Sequence, residues 1–423
     1  MNTTRIHDVI VVGAGVVGMT TALYLAREGL SVAVIDEQPG AGLSTSFANG
    51  GLVTPSTAMP WSSPTALKLL LRWIGREDAP LLMRPEAIPR LGLWGLKFAA
   101  NCRPAAHLRS SKTLTHFARE SLEELEGLIA QRMVDFPLGR GGLLAIYRDD
   151  AGLAARDRYV EFLHGLAIET RTLDADTTVA MEPSLAPIAS SICGGLLLPN
   201  DAWGDAWRFS RAVEEASRKL DVACHFGTRL ASLVVENGKI SGLRTAETLM
   251  KAHHVVICAG PRTPALLEPL GIRVPIMPVK GYSISLSKSD IGFLPSRPIV
   301  DDLAHIGVTP LGDRLRIAGT VELAGHDGTI RPQRIDNLKR AVTALFPGMT
   351  MPSDLSPWAG LRPMTPDGLP VIDATAISGL YVNGGHGALG WTLACGSARL
   401  MTAIIMGREP ADGSPFRLGR SFW

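Results

Sequence analysis

One stretch near the start of the chain limits the fold more than any other. Ile6–Val12 is rich in Val and Ile and predicts a buried strand, which runs directly into Gly13-Ala14-Gly15-Val16-Val17-Gly18. A helical pattern follows as far as Glu28, and a second buried strand over 31–35 ends at Asp36. Together these segments predict a βαβ unit of about 30 residues. Glycines in such a turn let the backbone approach a pyrophosphate, which the amide groups and dipole of the helix N-terminus stabilise.

The acidic residues after the second strand narrow the choice of nucleotide. Asp36 can accept a hydrogen bond from a ribose 2′-hydroxyl, whereas it would repel a 2′-phosphate. Glu37 follows it directly. The glycine turn and the acids by themselves are compatible with either NAD or FAD.

Two further glycine-containing segments favour FAD. Gly384–Gly390 lies between a predicted strand and a predicted helix near the C-terminus. A flavin needs a second backbone cradle at its ring, where a helix N-terminus can stabilise negative charge. The loop Ser44-Thr45-Ser46-Phe47-Ala48-Asn49-Gly50-Gly51 adds hydroxyl groups for a pyrophosphate and glycines beside which a flat ring can lie.

Composition excludes several other classes of protein. The 42 basic and 40 acidic residues give a net charge of +2, so we expect no nucleic-acid partner. Five scattered cysteines without a CxxC pair predict neither a metal site nor a disulfide framework. Apolar stretches are interrupted by charge, as by Arg399 in the last predicted helix, so we expect no membrane-spanning segment.

Segments of parallel type alternate with segments of antiparallel type along the chain. We therefore predict a mixed α/β (α+β) fold with two discontinuous domains. The predicted Rossmann-like FAD-binding domain comprises 1–85, 200–272 and 356–423. The predicted substrate-binding domain is an antiparallel sheet with helices, over 86–199 and 273–355.

These motifs together resemble the FAD-dependent D-amino acid oxidase superfamily, in particular the bacterial D-amino acid dehydrogenases of the small-subunit type. The resemblance rests on Gly13 to Asp36, Ser44 to Asn49, Lys280-Gly281-Tyr282, Trp358 to Asp367 and Gly385 to Thr392. It covers nearly the whole chain, with the motifs in the expected order. It implies a flavoenzyme that oxidises the C–N bond of an amino acid.

The resemblance also implies roles for three residues at the substrate. Arg362 matches the arginine that binds the substrate carboxylate, which suits a planar guanidinium. Tyr282 is expected to assist it, and His386 to lie beside the flavin ring. Gly360 stands where sarcosine-oxidase-like relatives carry a flavin-linking cysteine, so the predicted FAD is non-covalent. Gly50-Gly51-Leu52 replaces the Ala-Gly-Gln that is frequent in the family, which leaves the exact substrate open.

A larger set of residues is expected to contact the cofactor. They are Gly13, Gly15, Val16, Val17, Gly18, Asp36, Glu37, Ser44, Thr45, Ser46, Asn49, Gly50, Gly51, Leu52, Leu230, Cys258, Ala259, Gly260, Gly385, Gly387, Ala388, Leu389, Gly390, Trp391 and Thr392.

The predicted reaction is oxidative deamination of an amino acid, taken as a D-amino acid, with hydride transfer from Cα to flavin N5. Electrons are expected to pass to a quinone or another respiratory carrier. Three alternatives stay open: an oxidase that uses O₂ on glycine, proline-type or N-methyl amino acids, a non-catalytic flavin-binding subunit, and an RNA-modifying relative. The charge balance disfavours the last.

The composition of segment 59–85 is typical of a segment that contacts either lipid or protein. Trp61, Trp73 and a run of leucines (69, 70 and 71, then 81 and 82) are interspersed with basic residues. Such a pattern suits peripheral contact with lipid, on the inner face of the plasma membrane of a cytoplasmic protein. The alternative is that these leucines pack into the core or a subunit interface. The sequence leaves the oligomeric state open.

Overall fold

Two β-sheets organise the protein, and the chain passes between them several times. The computed structural model describes residues 6–77, 79–84, 88–409 and 413–421, and the side chains of Leu71, Ile88 and Arg90 are not described. The outer ends of the predicted FAD-binding segments and position 85 of segment 59–85 therefore lie outside the described residues.

The strands within these ranges are β1 (Ile6–Val12), β2 (Val32–Asp36), β3 (Leu52–Val53), β4 (Leu81–Met83), β5 (Leu143–Tyr147), β6 (Arg171–Leu173), β7 (Gly194–Leu198), β8 (Ala202–Trp203), β9 (Ala223–Phe226), β10 (Leu230–Glu236), β11 (Lys239–Thr245), β12 (Leu249–Ile257), β13 (Met277–Ser287), β14 (Ile299–Asp301), β15 (Ile306–Leu311), β16 (Arg314–Leu323), β17 (Trp358–Met364), β18 (Val371–Ala374) and β19 (Leu380–Gly384).

The α-helices are α1 (Val16–Arg27), α2 (Ala66–Arg72), α3 (Ile88–Asn101), α4 (Pro104–Ala130), α5 (Asp150–His164), α6 (Ala175–Met181), α7 (Ala206–Arg218), α8 (Thr263–Leu267), α9 (Lys288–Ile291), α10 (Pro332–Leu345) and α11 (Gly390–Ile405).

The first sheet has the order β10-β11-β12-β1-β2-β9, with β19 beside β12 and β18 beside β19. Strands β12, β1, β2 and β9 are parallel. Val9, Ile10 and Val11 are fully buried, as expected for a parallel strand that is covered on both faces. The βαβ unit β1-α1-β2 forms as the sequence predicts, and helix α1 packs against α7 and α11.

The hairpin between β10 and β11 follows from its turn residues. Asn237 and Gly238 both adopt positive φ, at 52° and 74°. A two-residue turn of this kind matches the right-handed twist of the two strands it joins. The Asn-Gly pair in the sequence predicts this turn.

The second sheet has the order β17-β13-β16-β15-β14-β5-β7-β6, with β4 parallel to β16. Two of its strands, β4 and β17, come from segments that the sequence assigned to the FAD-binding domain. Conversely, helix α4 lies in a predicted substrate-domain segment but packs against α11, on the first sheet. Strands β4 and β17 and helix α4 therefore each pack with the sheet of the other predicted domain.

Helix α11 is a core helix in spite of its apolar composition. Residues Gly387–Ile405 are long and apolar enough, by length and composition alone, to cross a membrane. Most of α11 is buried, and it packs against α1 and α4. Its apolar character is explained by this packing.

Segment 59–85 divides between core and surface. Leu82 and Met83 of β4 are buried, and Leu70 of α2 packs against the same small hydrophobic cluster as Met83. Leu69 is exposed. Residues 81–83 therefore pack inside the second sheet, where β4 pairs with β16, and contact of the rest of the segment with lipid stays a prediction.

Asp201 is a buried carboxyl group beside the loop that follows β3. Its Oδ1 accepts a hydrogen bond from the Ser56 amide (3.0 Å), while Oδ2 has no hydrogen-bond partner among the described residues. Burial raises the pKa of Asp201 from its usual value of 3.8 to about 7. Between about pH 4 and pH 7, the native protein therefore holds a proton on Asp201 that the unfolded chain has released.

We expect the stability contributed by this proton to be fully present below about pH 4 and lost as pH rises through 7. Asp201→Asn keeps the acceptor for Ser56 and removes the titration. Its free energy of unfolding should exceed that of the wild type increasingly between pH 5 and pH 8, by up to about 4 kcal/mol. Chemical denaturation across this pH range measures the difference. Parallel pH profiles for the two proteins would contradict this assignment.

Candidate active site

A single cavity of about 1250 Å³ brings together residues of both sheets. It begins at the turn after β1, passes the loop 44–51 and ends at Arg362 on β17. All the residues predicted for catalysis or cofactor binding line it, with the exceptions of Gly18 and Gly385. These two glycines are structural in this geometry.

The turn after β1 has no room for side chains. A Cβ on Gly13, whose φ is +109°, would lie 2.5 Å from the Cys258 carbonyl oxygen. A Cβ on Gly18 would lie 1.8 Å from the carbonyl oxygen of Gly13, which explains why Gly18 packs α1 against the turn and does not face the cavity. Gly15 caps the N-terminus of α1, whose first turn carries no acidic residue. The positive end of the helix dipole is thus available to an anion.

Asp36 and Glu37 sit at the end of β2, as predicted, and both line the cavity. Asp36 accepts hydrogen bonds from the amides of Ala14 (2.6 Å) and Gln38 (2.8 Å), so its carboxylate also orders the glycine turn. Burial raises the pKa of Asp36. Glu37 forms an ion pair with Arg262. Binding of a ribose by these acids stays a prediction.

Loop 44–51 is fixed between the two sheets. Ser46 Oγ accepts a hydrogen bond from the amide of Val16 in the first turn of α1 (3.1 Å). Thr45 donates to the carbonyl of Leu361 (2.9 Å), next to Arg362. The loop therefore connects the glycine turn directly to β17.

The far side of this loop is held by the second sheet. Three successive carbonyl groups, those of residues 48, 49 and 50, accept hydrogen bonds from side chains of that sheet. The donors are Ser283 (2.7 Å), Arg316 (2.7 Å) and Thr309 (2.8 Å). A loop with its carbonyl groups bound in this way is ordered in the absence of any ligand.

The C-terminal glycine loop reaches the cavity next to β17. His386 pairs with Met364 in an isolated antiparallel bridge, two residues after Arg362. His386 Nε2 lies 2.8 Å from Ser397 Oγ of α11. Burial lowers the pKa of His386 to about 3, so its ring is neutral at physiological pH. Gly385, with φ +76°, makes the turn, and a Cβ there would lie 2.7 Å from a methyl carbon of Thr365.

Arg362 lies on β17, opposite Val279 of β13. Its Nη1 is buried and has no hydrogen-bond partner among the described residues. The Trp61 ring lies with its centroid 5.4 Å from the guanidinium carbon, a cation–π distance. Burial lowers the pKa of Arg362 to about 10. This side chain lines the cavity with an Nη1 group for which no described residue is an acceptor.

Tyr282 lines the cavity, and its predicted role as a second carboxylate donor stays a prediction. Its hydroxyl donates to Glu322 Oε2 (2.5 Å), to which Lys280 also forms an ion pair (3.3 Å). Side chains alternate along a strand, so Lys280 and Tyr282 face one side of β13, while Gly281 and Ser283 face the side of Arg362. The single phenolic proton is donated to Glu322 in this structure.

Several residues that line the cavity were missing from the sequence-based prediction. They include Trp61 and Trp358 near Arg362, His305 and His326 on two turns of the second sheet, and Thr228, Arg229 and Arg262 near Glu37. Trp61 and Trp358 carried a signal, since Pro60-Trp61 and the segment from Trp358 to Asp367 both belong to the family resemblance. The others are single residues in segments without a motif.

The residues present fit FAD. The close-packed turn at Gly13 brings Gly15 and the N-terminal end of α1 to the cavity wall, where the helix dipole suits a pyrophosphate. The N-terminal end of α11 lines the same cavity some distance along, beside loop 44–51. Two such cradles in one long cavity match a ligand that is held along its whole length.

Comparisons with known proteins agree with this interpretation. D-amino acid dehydrogenases of Methylobacterium sp. (strain 4-46) and Paramagnetospirillum magneticum (strain AMB-1) are 40% and 41% identical to the chain, and each match covers 95% of the chain and 96% of the relative. Among solved structures, glycine oxidase from Bacillus cereus ATCC 14579 superposes with a TM-score of 0.74 at 22% identity, covering 96% of this chain and 98% of that one. L-proline dehydrogenase from P. horikoshii superposes with a TM-score of 0.68 at 17% identity, covering 96% and 95%.

The structural neighbours confirm the predicted mixed α/β fold, in which a Rossmann-like unit adjoins a largely antiparallel sheet. The family model for FAD dependent oxidoreductases, DAO, matches residues 8–404 and confirms FAD as the cofactor. On these grounds the chain belongs to the DAO family of FAD-dependent oxidoreductases.

Proposed function

We propose that this protein is an amino acid dehydrogenase that oxidatively deaminates amino acids, with D-amino acids as its substrates. The relatives at 40% identity are named for this activity. The observation that carries the proposal is the unpartnered guanidinium of Arg362 in the cavity. A substrate carboxylate supplies the bidentate acceptor that this group lacks.

FAD, when bound, supplies acceptance of a hydride equivalent from the substrate Cα. Loss of hydride from Cα of the neutral amine gives the protonated imine directly, so no proton leaves nitrogen in this step. Water then hydrolyses the protonated imine to a 2-keto acid and an ammonium ion. Arg362 fixes the carboxylate, and so sets the direction of the Cα–H bond relative to the cavity wall. His386 is neutral and hydrogen-bonded to Ser397, so it forms part of the cavity wall and adds no charge to it. Orientation of this kind supplies much of the rate.

The charges around the cavity indicate which substrates fit. Asp36 and Glu37 are the acidic residues among those described that line it, and both lie at the glycine turn. No described carboxylate at the end near Arg362 can bind an ammonium group. The substrate therefore reacts as the neutral amine, with no side-chain base, and a cationic substrate side chain has no partner. We infer that amino acids with neutral side chains are preferred over lysine or arginine.

Replacing Arg362 tests the proposal directly. Loss of a charged bidentate pair costs on the order of 2–5 kcal/mol, so Arg362→Leu should lower kcat/KM for D-alanine by roughly 30-fold or more. Arg362→Lys, which keeps the charge but loses the planar fork, should lie between Leu and wild type. Steady-state kinetics with an artificial electron acceptor measures both.

FAD content is the control for these variants. We propose that FAD is held without a covalent link, because Gly360 offers no reactive side chain. Acid precipitation should release equal amounts of free FAD from wild type and both variants. Unchanged kinetics in Arg362→Leu with full FAD content would show that the arginine does not bind the substrate.

The pH dependence of kcat/KM follows from two groups, the substrate amine and Arg362. kcat/KM reports free enzyme and free substrate. It should rise with pH as the substrate amine loses its proton, and fall as Arg362 deprotonates with a pKa of about 10. Stopped-flow reduction of the flavin by D-alanine between pH 6 and 11 measures both limbs. A rate that falls as pH rises from 6 to 9 would contradict binding of the neutral amine.

We also propose that the protein attaches to an anionic membrane surface and passes its electrons to a quinone there. Five exposed leucines support this: Leu67 and Leu69 of α2, Leu93 and Leu96 of α3, and Leu108 of α4. We call them the leucine patch. Leu93 and Leu96 are 58% and 63% exposed. Exposed basic residues of the same helices, Lys68, Arg72 and Arg109, complement anionic lipid.

The inner sides of the same helices lie close to the substrate end of the cavity. Leu70 of α2 and Trp94 of α3 pack on one cluster with Met364. Trp94 Nε1 donates to the Met364 carbonyl (3.2 Å), two residues after Arg362. The leucine patch is therefore carried by helices that also cover the substrate-binding strand. This arrangement supports an electron acceptor dissolved in the lipid.

Co-sedimentation with vesicles tests this attachment. The wild type should bind vesicles that contain phosphatidylglycerol, less so at high salt, and Leu93→Glu/Leu96→Glu should not bind. Leu220→Glu/Met406→Glu adds the same charges at exposed positions outside the patch and should bind as the wild type does. Reduction of a quinone analogue should exceed that of O₂. A protein that ignores lipid and reduces O₂ as fast as quinone is better described as an oxidase.

A further inference from the structure

A pair of glycines lies beneath the substrate-binding arginine. Gly281 of β13 and Gly360 of β17 are direct cross-strand partners. The pair is flanked by Val279 opposite Arg362 on one side and by Ser283 opposite Trp358 on the other. Both glycines are buried, and neither has a positive φ, so turn geometry does not explain them.

The space above Gly281 is filled by the guanidinium of Arg362. A Cβ at Gly281 would lie 2.6 Å from Cζ and 2.7 Å from both Nη1 and Nη2. These are its three nearest atoms, so the flat face of the guanidinium lies directly against the Gly281 backbone. Any larger residue would displace the guanidinium.

Gly360 makes the matching space for Trp358. A Cβ there would lie 1.9 Å from the Trp358 ring, and its three nearest atoms all belong to that ring. The Arg362 guanidinium thus lies over Gly281, and the Trp358 indole lies over Gly360. Both side chains line the cavity.

This packing explains how Arg362 is held without an ion pair. A buried arginine is ordinarily fixed by a carboxylate or by carbonyl groups, as Arg334 is by the carbonyls of Ala79 and Val321. Arg362 has no such acceptor for Nη1 among the described residues. Contact with Gly281 and the nearby Trp61 ring restricts the guanidinium, while Nη1 has no acceptor among the described residues.

We propose that Gly281 is a positioning residue for substrate binding: it lets the Arg362 guanidinium lie flat on β13, with Nη1 available to a carboxylate. The inference rests on the proposed function of Arg362. It assigns no contact between Gly281 and the substrate. The guanidinium occupies the space that the strand glycine leaves, at a position where a strand would otherwise gain from a side chain.

Gly281→Ala isolates this role. Its Cβ meets only the flexible end of Arg362, so the variant should fold, keep FAD and melt at the wild-type temperature. Displacing the guanidinium should weaken binding of benzoate, followed by the flavin absorbance change, by roughly 10- to 100-fold. KM for D-alanine should rise similarly and kcat should change less. Gly348→Ala, with no atom within 4 Å of its Cβ, is the matched control and should bind benzoate as the wild type does.

A double-mutant cycle with Arg362→Lys separates positioning from general crowding of the sheet. The flexible lysine does not need the flat seat, so adding Gly281→Ala to Arg362→Lys should weaken benzoate binding by less than about twofold. Equal losses in both backgrounds, or no loss in Gly281→Ala alone, would overturn the inference. If Arg362→Lys and Arg362→Leu themselves leave benzoate binding unchanged, the proposed function fails instead.

Discussion

The substrate side of this protein depends on the guanidinium of Arg362, whose Nη1 has no hydrogen-bond acceptor among the described residues. Burying a charged group without a partner is unfavourable, and burial lowers the pKa of Arg362 to about 10. The guanidinium is held by packing and not by an ion pair: the Gly281 backbone lies against it, and the Trp61 ring is nearby. A site of this kind gains most when an anion enters, which makes it selective for carboxylates.

Loop 44–51 is what places this arginine relative to the nucleotide-binding turn. It binds the first turn of α1 through Ser46, the strand of Arg362 through Thr45, and the second sheet through three backbone carbonyls. Each of these contacts joins segments far apart in the sequence. The distance between the two ends of the cavity is thus set by one short loop whose hydrogen bonds are satisfied within the protein.

The parts of the structure that depend on local sequence could be predicted. The β1-α1-β2 unit, the Asn237-Gly238 turn and the C-terminal glycine loop each carry their own turn chemistry. The hydrogen bond from Tyr282 to Glu322 could not be predicted, because alternation along β13 fixes only that Tyr282 and Lys280 share a face. Which residues of β13 share a face with Arg362 is decided by β17, some 80 residues later in the sequence. His305 and His326 reach the cavity from separate turns, and no local pattern connects them. Gly281 was quoted as part of a motif, yet its role appears only once Arg362 is seen to occupy its space.

The most direct measurement is a crystal structure of the FAD-loaded, reduced protein with D-alanine bound. The account predicts a carboxylate within hydrogen-bond distance of Arg362 Nη1, with the guanidinium still lying against Gly281 and Tyr282 still bound to Glu322. A carboxylate held elsewhere in the cavity, with Arg362 turned to a protein acceptor, would contradict it.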